Sequence, residues 1–177
     1  MNREGAAVRR LVLAGLALLV PSRAAEAAVP TAADTVVVYL VRHAEKLDDS
    51  RDPPLSEVGK ARATELARLL ADAGVTHVWS TDFDRTRSTS RPAAEAMGLE
   101  IRLYDANDLK GFAAQLAATP GRHLVVGHSN TTPALVRALG GTPGNLMGDG
   151  EYDRFYAVFL GGPAPTTLQL RWGAGPR

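Results

Sequence analysis

The sequence predicts an α/β protein: a three-layer α/β/α sandwich around a mainly parallel central sheet. Two observations carry that prediction. Apolar runs of strand length alternate with segments of helical period. Chemically active polar residues then follow several of those runs, where a parallel sheet collects ligands at the carboxyl ends of its strands.

TVVVYLV at 35–41 is nearly continuously apolar, as a strand buried on both faces reads. Ser56 is placed to cap a helix whose apolar face is Val58, Leu66, Leu69 and Leu70, with Gly74 as its terminator. THVWS at 76–80 is the second strand, and the helix over 84–97 stops at Gly98. IRLY at 101–104 is followed by a helix over 108–118 that ends before Pro120. HLVVG at 123–127 leads to Thr132-Pro133, a helix start, and that helix runs to Gly140. FYAVFL at 155–160 and TLQLRW at 167–172 close the chain, the last alternating apolar and polar residues as an edge strand does. The GGPAPT turn between them predicts a hairpin at one edge.

The first 27 residues are read separately. Arg3, Arg9 and Arg10 precede the apolar run LVLAGLALLV, and Ala25-Glu26-Ala27 fits a small-residue cleavage site. This is the order of a secretory signal, and the apolar run is short for a membrane span. The expected organisation is a signal peptide over 1–27 and one domain over 28–177, periplasmic or secreted. Cleavage removes four of the 20 basic and two of the 19 acidic residues, leaving a formal charge near −1. That balance gives no footprint for nucleic acid or an anionic membrane surface. The absence of cysteine excludes disulfides, thiol catalysis and thiolate metal sites.

Four predicted strands deliver polar residues to one edge of the sheet. The first ends in Arg42-His43, the second leads to Arg85 and Arg87, the third to Asp105, Asn107 and Asp108, and the fourth to His128-Ser129-Asn130. Arg122-His123 and His77 enter their strands instead, so they belong at the opposite edge; the first reads as a surface pair and the second as structural. Two histidines among arginines suit an anion better than a metal, because guanidinium groups oppose a cation. Ser129 lacks the G-x-S-x-G setting of a nucleophilic serine. A phosphoryl group satisfies the set: arginine forks match its oxygens, a ring nitrogen can attack phosphorus, and GHSNTTP feeds a helix N-terminus.

LVRHAEK, DPPLSEVGKARA, STDFDRTRSTS and VVGHSN, in that order, resemble the histidine phosphatase superfamily, also called phosphoglycerate mutase-like. The likeness covers the whole mature chain and lies nearest the small bacterial phosphohistidine phosphatases. It implies that His43 is the nucleophile, that Arg42 and Arg85 bind phosphate, and that His128 is the second catalytic histidine. In the family's S-x-P-x-x-R-A-x-x-T block, Arg85 takes the arginine place, Thr86 the Ala place and Thr89 the Thr place. Asp82 stands where Pro is usual, and Arg87 falls on a variable position. The resemblance implies a small phosphorylated substrate and no metal or organic cofactor. The proton donor to the leaving group is not fixed by it. Mutase-type members carry a glutamate in an inserted segment, and acid phosphatase relatives place Asp where Ser129 stands. Glu45, Asp105, Asp108 and Glu151 are the candidates. A phosphoglycerate-type mutase and a non-catalytic phospho-ligand binder are the alternatives. Residues 47–53 and 140–152 are expected to form the pocket rim.

Overall fold

The computed structural model describes residues 35–175; the expected signal segment at 1–27 lies outside them. Six strands and four helices alternate along the chain: β1 (Val36–Arg42), α1 (Glu57–Leu69), β2 (His77–Ser80), α2 (Asp84–Met97), β3 (Ile101–Leu103), α3 (Leu109–Ala118), β4 (Gly121–Gly127), α4 (Thr131–Ala138), β5 (Arg154–Leu160) and β6 (Thr166–Arg171). They form one sheet in the order β3-β2-β4-β1-β5-β6. The first four strands in that order are mutually parallel, and β5 and β6 run antiparallel. The expected mainly parallel sheet and terminal hairpin are both present.

Alternation along β1 sorts its side chains between two cores. Val36, Val38 and Leu40 join Phe112, Leu116, Leu135 and Val136 under α3 and α4. Val41 joins Leu66, Leu70, Ala93 and Ala94 under α1 and α2. The helices thus cover both faces, which is why β1 carries no polar residue before Arg42.

Ser56 caps α1 as its sequence implies, accepting from the Gly59 N–H at 3.1 Å. The buried face of α1 differs from the expected one. It is made by Gly59, Arg62, Ala63 and Leu66, while Val58 is half-buried and Leu69 exposed. At 100° per residue, positions 58 and 69 fall on the flank of the stripe that 59, 62, 63 and 66 define. Gly59 has no alternative there: an added Cβ would lie 2.2 Å from the Glu45 carbonyl oxygen. The helix ends at Leu70, and Gly74 instead takes the left-handed turn (φ 65°) before β2.

One correction and one further buried charge concern the polar residues. His123 is fully buried, so only its neighbour Arg122 lies at the surface. Its ring accepts from the Trp79 indole N–H at 3.1 Å through Nδ1, which leaves Nε2 to donate to the Thr119 carbonyl at 2.9 Å. Arg62, half-hidden in a helical charge pattern, is also buried; its guanidinium meets Glu45 and the carbonyls of Trp172 and Ala174.

Candidate active site

The register between β1 and β4 assembles the site. Arg42 pairs with Gly127, so the residues that follow, His43 and His128, emerge side by side at the carboxyl edge. The His43 backbone N–H donates to the Gly127 carbonyl at 2.8 Å, and the two rings lie 5.5 Å apart, edge to face. Together with Arg42, Lys46, Arg51, Arg85 and the start of α4, they line an open cavity of about 430 Å³.

His43 is 4% exposed. Its Nδ1 meets the Ala44 carbonyl at 2.8 Å and must donate to it, because a carbonyl cannot donate. That fixes the tautomer and leaves Nε2 with its lone pair free. Thr89, on α2, accepts the Ala44 N–H at 2.9 Å and so pins this turn from the other side. Burial above all, together with the nearby Arg42 and Arg85, pushes the imidazole down to about 3, against the Ala44 contact that raises it. His43 is therefore neutral at neutral pH.

His128 is held from behind. Its Nε2 lies 3.0 Å from the Thr81 hydroxyl, which lies 2.9 Å from the Thr86 hydroxyl, and Thr86 reaches the Thr81 and Phe83 carbonyls. The Phe83 ring meets His128 edge-on at 5.2 Å. Burial first, then Arg85 and Arg42, lower the His128 imidazole to about 4, with Asp52 opposing.

Arg85 sits in the first turn of α2 and lines the cavity, stacked on the Phe83 ring at 4.3 Å. Arg87 pairs with Asp82 and does not line it. Phe83 occupies the N-cap of α2 but offers no capping oxygen. Asp52 supplies it from the loop after β1, accepting the Asp84 N–H at 2.9 and 3.1 Å and approaching Arg85 at 3.4 Å. Arg42 has two tasks. Its Nη1 donates to the carbonyls of Gly148, Asp149 and Glu151, which ties that loop to the end of β1, and its guanidinium lies 4.2 Å over the Tyr152 ring. Its Nε is buried without a partner.

The four candidate acids are all engaged away from the cavity. Both oxygens of Glu45 meet Arg62, at 2.7–3.0 Å. Asp105 accepts from Asn107, and Asp108 caps α3 through the Gly111 N–H. Burial alone would raise the Glu151 carboxyl, but the Gly148 N–H, Arg154 and Arg171 outweigh it and hold it below the usual carboxylate range. Among the described residues, no carboxylate lines the cavity, and no group of three or more His, Asp or Glu side chains could hold a metal.

Sequence reasoning missed Thr81, Phe83, Asp52, Tyr152 and the buried Arg154, whose Nη groups hold the carbonyls of Asn145 and Leu146. Thr81 and Phe83 had a signal: both lie inside the STDFDRTRSTS block. Tyr152 and Arg154 had none: the Arg42 guanidinium over the Tyr152 ring comes from a strand distant in the chain, and Arg154 holds two loop carbonyls besides Glu151 and Tyr156.

Fold and site define an α/β protein of the phosphoglycerate mutase-like type, with a paired-histidine, arginine-lined pocket at the sheet's carboxyl edge. Residues 38–108 match the model of the histidine phosphatase superfamily (branch 1), a stretch that includes Arg42, His43 and Arg85. That match covers 71 of the 177 residues. Among curated proteins the chain is 38% identical over 71 residues to the probable phosphoglycerate mutase GpmB of Yersinia pestis, covering 36% of this chain and 33% of that protein. The match thus spans a third of the relative's length. The solved structure of the protein histidine phosphatase SixA complexed with tungstate is similar at TM-score 0.62, with 20% identity over 76% of this chain and 96% of that one. A mycobacterial glucosyl-3-phosphoglycerate phosphatase with inorganic phosphate is similar at TM-score 0.60, with 16% identity over 79% and 98%. At these identities the structural likeness is one of fold.

Proposed function

We propose that the protein is a phosphatase that hydrolyses a small phosphorylated substrate through a phosphohistidine at His43. One observation carries this reading. The Ala44 carbonyl holds Nδ1–H, so Nε2 presents its lone pair to a cavity walled by Arg42, Arg85 and His128. In the first step that lone pair forms an N–P bond, and the bond from phosphorus to the leaving group breaks with its electron pair. In the second, water attacks phosphorus, loses a proton, and returns the pair to Nε2 as orthophosphate departs. Arg42, Arg85 and His128 stabilise the charge spread over the equatorial oxygens in both steps.

The engaged positions of Glu45, Asp105, Asp108 and Glu151 favour substrates whose leaving group departs without a carboxylic acid nearby, such as phosphoramidates and aryl or acyl phosphates. No metal or organic cofactor takes part. We further propose export to the periplasm or medium, on the basic, apolar and small-residue order of residues 1–27. A mutase is the second reading, favoured by the named mutase relatives. The mature chain, incubated with aryl phosphate and phosphohistidine, tests these together. Release of orthophosphate supports the phosphatase, transfer to an added sugar acid in preference to water supports the mutase, and neither outcome refutes both.

A further inference from the structure

We infer that the outer half of the same cavity receives a second anionic group, so that the preferred substrates are phosphorylated compounds that also carry a carboxylate or second phosphate. The inference rests on the phosphate reading of the His43 end. A cavity of about 430 Å³ is in the range that takes a whole small molecule, with room beyond a phosphoryl group. Beyond the histidines, Arg42 and Arg85, the lining includes Lys46, Ser50, Arg51, Ala106 and Asn107.

Charge in the 46–52 loop is sorted by direction. Lys46 and Arg51 line the cavity, whereas the three aspartates of the loop do not. Asp48 accepts the Ser50 N–H, Asp49 points to solvent while holding Lys46 at 2.5 Å, and Asp52 caps α2. No described carboxylate pairs with the Arg51 guanidinium. The loop is also anchored. At its base Lys46 bridges to Leu55, which is buried, and the Leu47 N–H donates to the Pro54 carbonyl at 2.9 Å. At its far end the Arg51 carbonyl meets Arg85 at 3.5 Å and Asp52 is tied to α2. A loop built for solubility alone would mix its signs toward the cavity; this one presents only cations there.

The test uses non-hydrolysable probes, so it does not depend on turnover. Titration calorimetry of the mature chain compares 2-, 3- and 4-carboxyphenylphosphonate with the corresponding neutral carboxamides. At least one carboxylate isomer should bind about tenfold more tightly than its carboxamide, as a charge-assisted contact implies. The preference should shrink as salt rises. Arg51→Gln should remove most of it, and Lys46→Gln less, because Lys46 already pairs with Asp49. Equal affinities at all three positions, a preference that survives in Arg51→Gln, or no binding of any probe overturns the inference. If the preference is present but the matching aryl phosphates are not hydrolysed, the catalytic reading fails and the second-anion site stands.

Discussion

The sheet carries a histidine pair at each end, and the two pairs share more than they differ. His43 and His128 at the carboxyl edge are neutral through burial, and so are His77 and His123 near the amino edge. Both pairs are close, with ring centroids 5.5 and 4.7 Å apart. What separates them is where the ring nitrogens point. His123 has both engaged, by Trp79 and Thr119, and the stacked His77 meets Thr76. His43 and His128 each have one nitrogen fixed from behind, and each lines a cavity walled by cations. Burial and a lowered imidazole pKa are common to packing and to chemistry; a fixed tautomer facing a cationic cavity is not.

The largest expected effect breaks this comparison most directly. His43→Ala should remove nearly all turnover, on the order of 10⁴-fold or more, as loss of a nucleophile does. His123→Ala should instead lower stability by about 2–4 kcal/mol, from the cavity and the orphaned Trp79 donor, while turnover per folded molecule is retained. Steady-state rates and denaturant midpoints on both variants decide it. Comparable rate losses in the two would mean that the amino-edge pair also serves catalysis.

Next come the two arginines of α2. Arg85→Ala should lose roughly 10²–10³ in kcat/KM, as removal of a transition-state donor does, and Arg87→Ala, whose partner is Asp82, should lose little. The reverse order would place the phosphate contact at Arg87 instead of Arg85.

A smaller effect is expected at Glu45. With its partner Arg62 almost fully buried, Glu45→Gln should cost about 3 kcal/mol of stability by leaving that charge uncompensated. Were Glu45 the proton donor, the variant would instead lose activity selectively on alkyl over nitrophenyl phosphates. Comparing the two substrate types alongside the melting temperature separates these roles.

The smallest signal is a titration. The ring resonances of His43 and His128 should change near pH 3 and 4, well below the 6.5 of a free histidine. In the window between, the unfolded chain binds protons that the folded chain refuses. The contribution of these two rings to stability is therefore constant above about pH 6.5 and falls as pH drops from there toward 3–4. A histidine resonance at the site titrating near 6.5 in the free protein would contradict the burial argument.

Much of this was legible in the sequence because the signals were local. Apolar runs marked the strands, Ser56 and Gly98 marked helix ends, and His43 and His128 were placed together by the rule for carboxyl edges. What stayed hidden depends on partners distant in the chain. Arg62 and Arg154 look like ordinary surface charges until the carbonyls of 172–174 and 145–146 close on them. His123 read as part of a surface pair because no local pattern announces the Trp79 donor 44 residues away. The engagement of the four candidate acids stayed hidden for the same reason: sequence showed carboxylates near the edge but not the N–H groups and arginines that meet them.

The central claim is that the carboxyl-edge pair forms a covalent intermediate on one defined nitrogen. Rapid quenching of the protein with labelled aryl phosphate, followed by peptide mapping, measures it. One label is expected, on His43, labile in acid and persistent in alkali, absent in His43→Ala and formed more slowly in His128→Ala. Label on Ser129, on His128 or on no residue at all during turnover would contradict it.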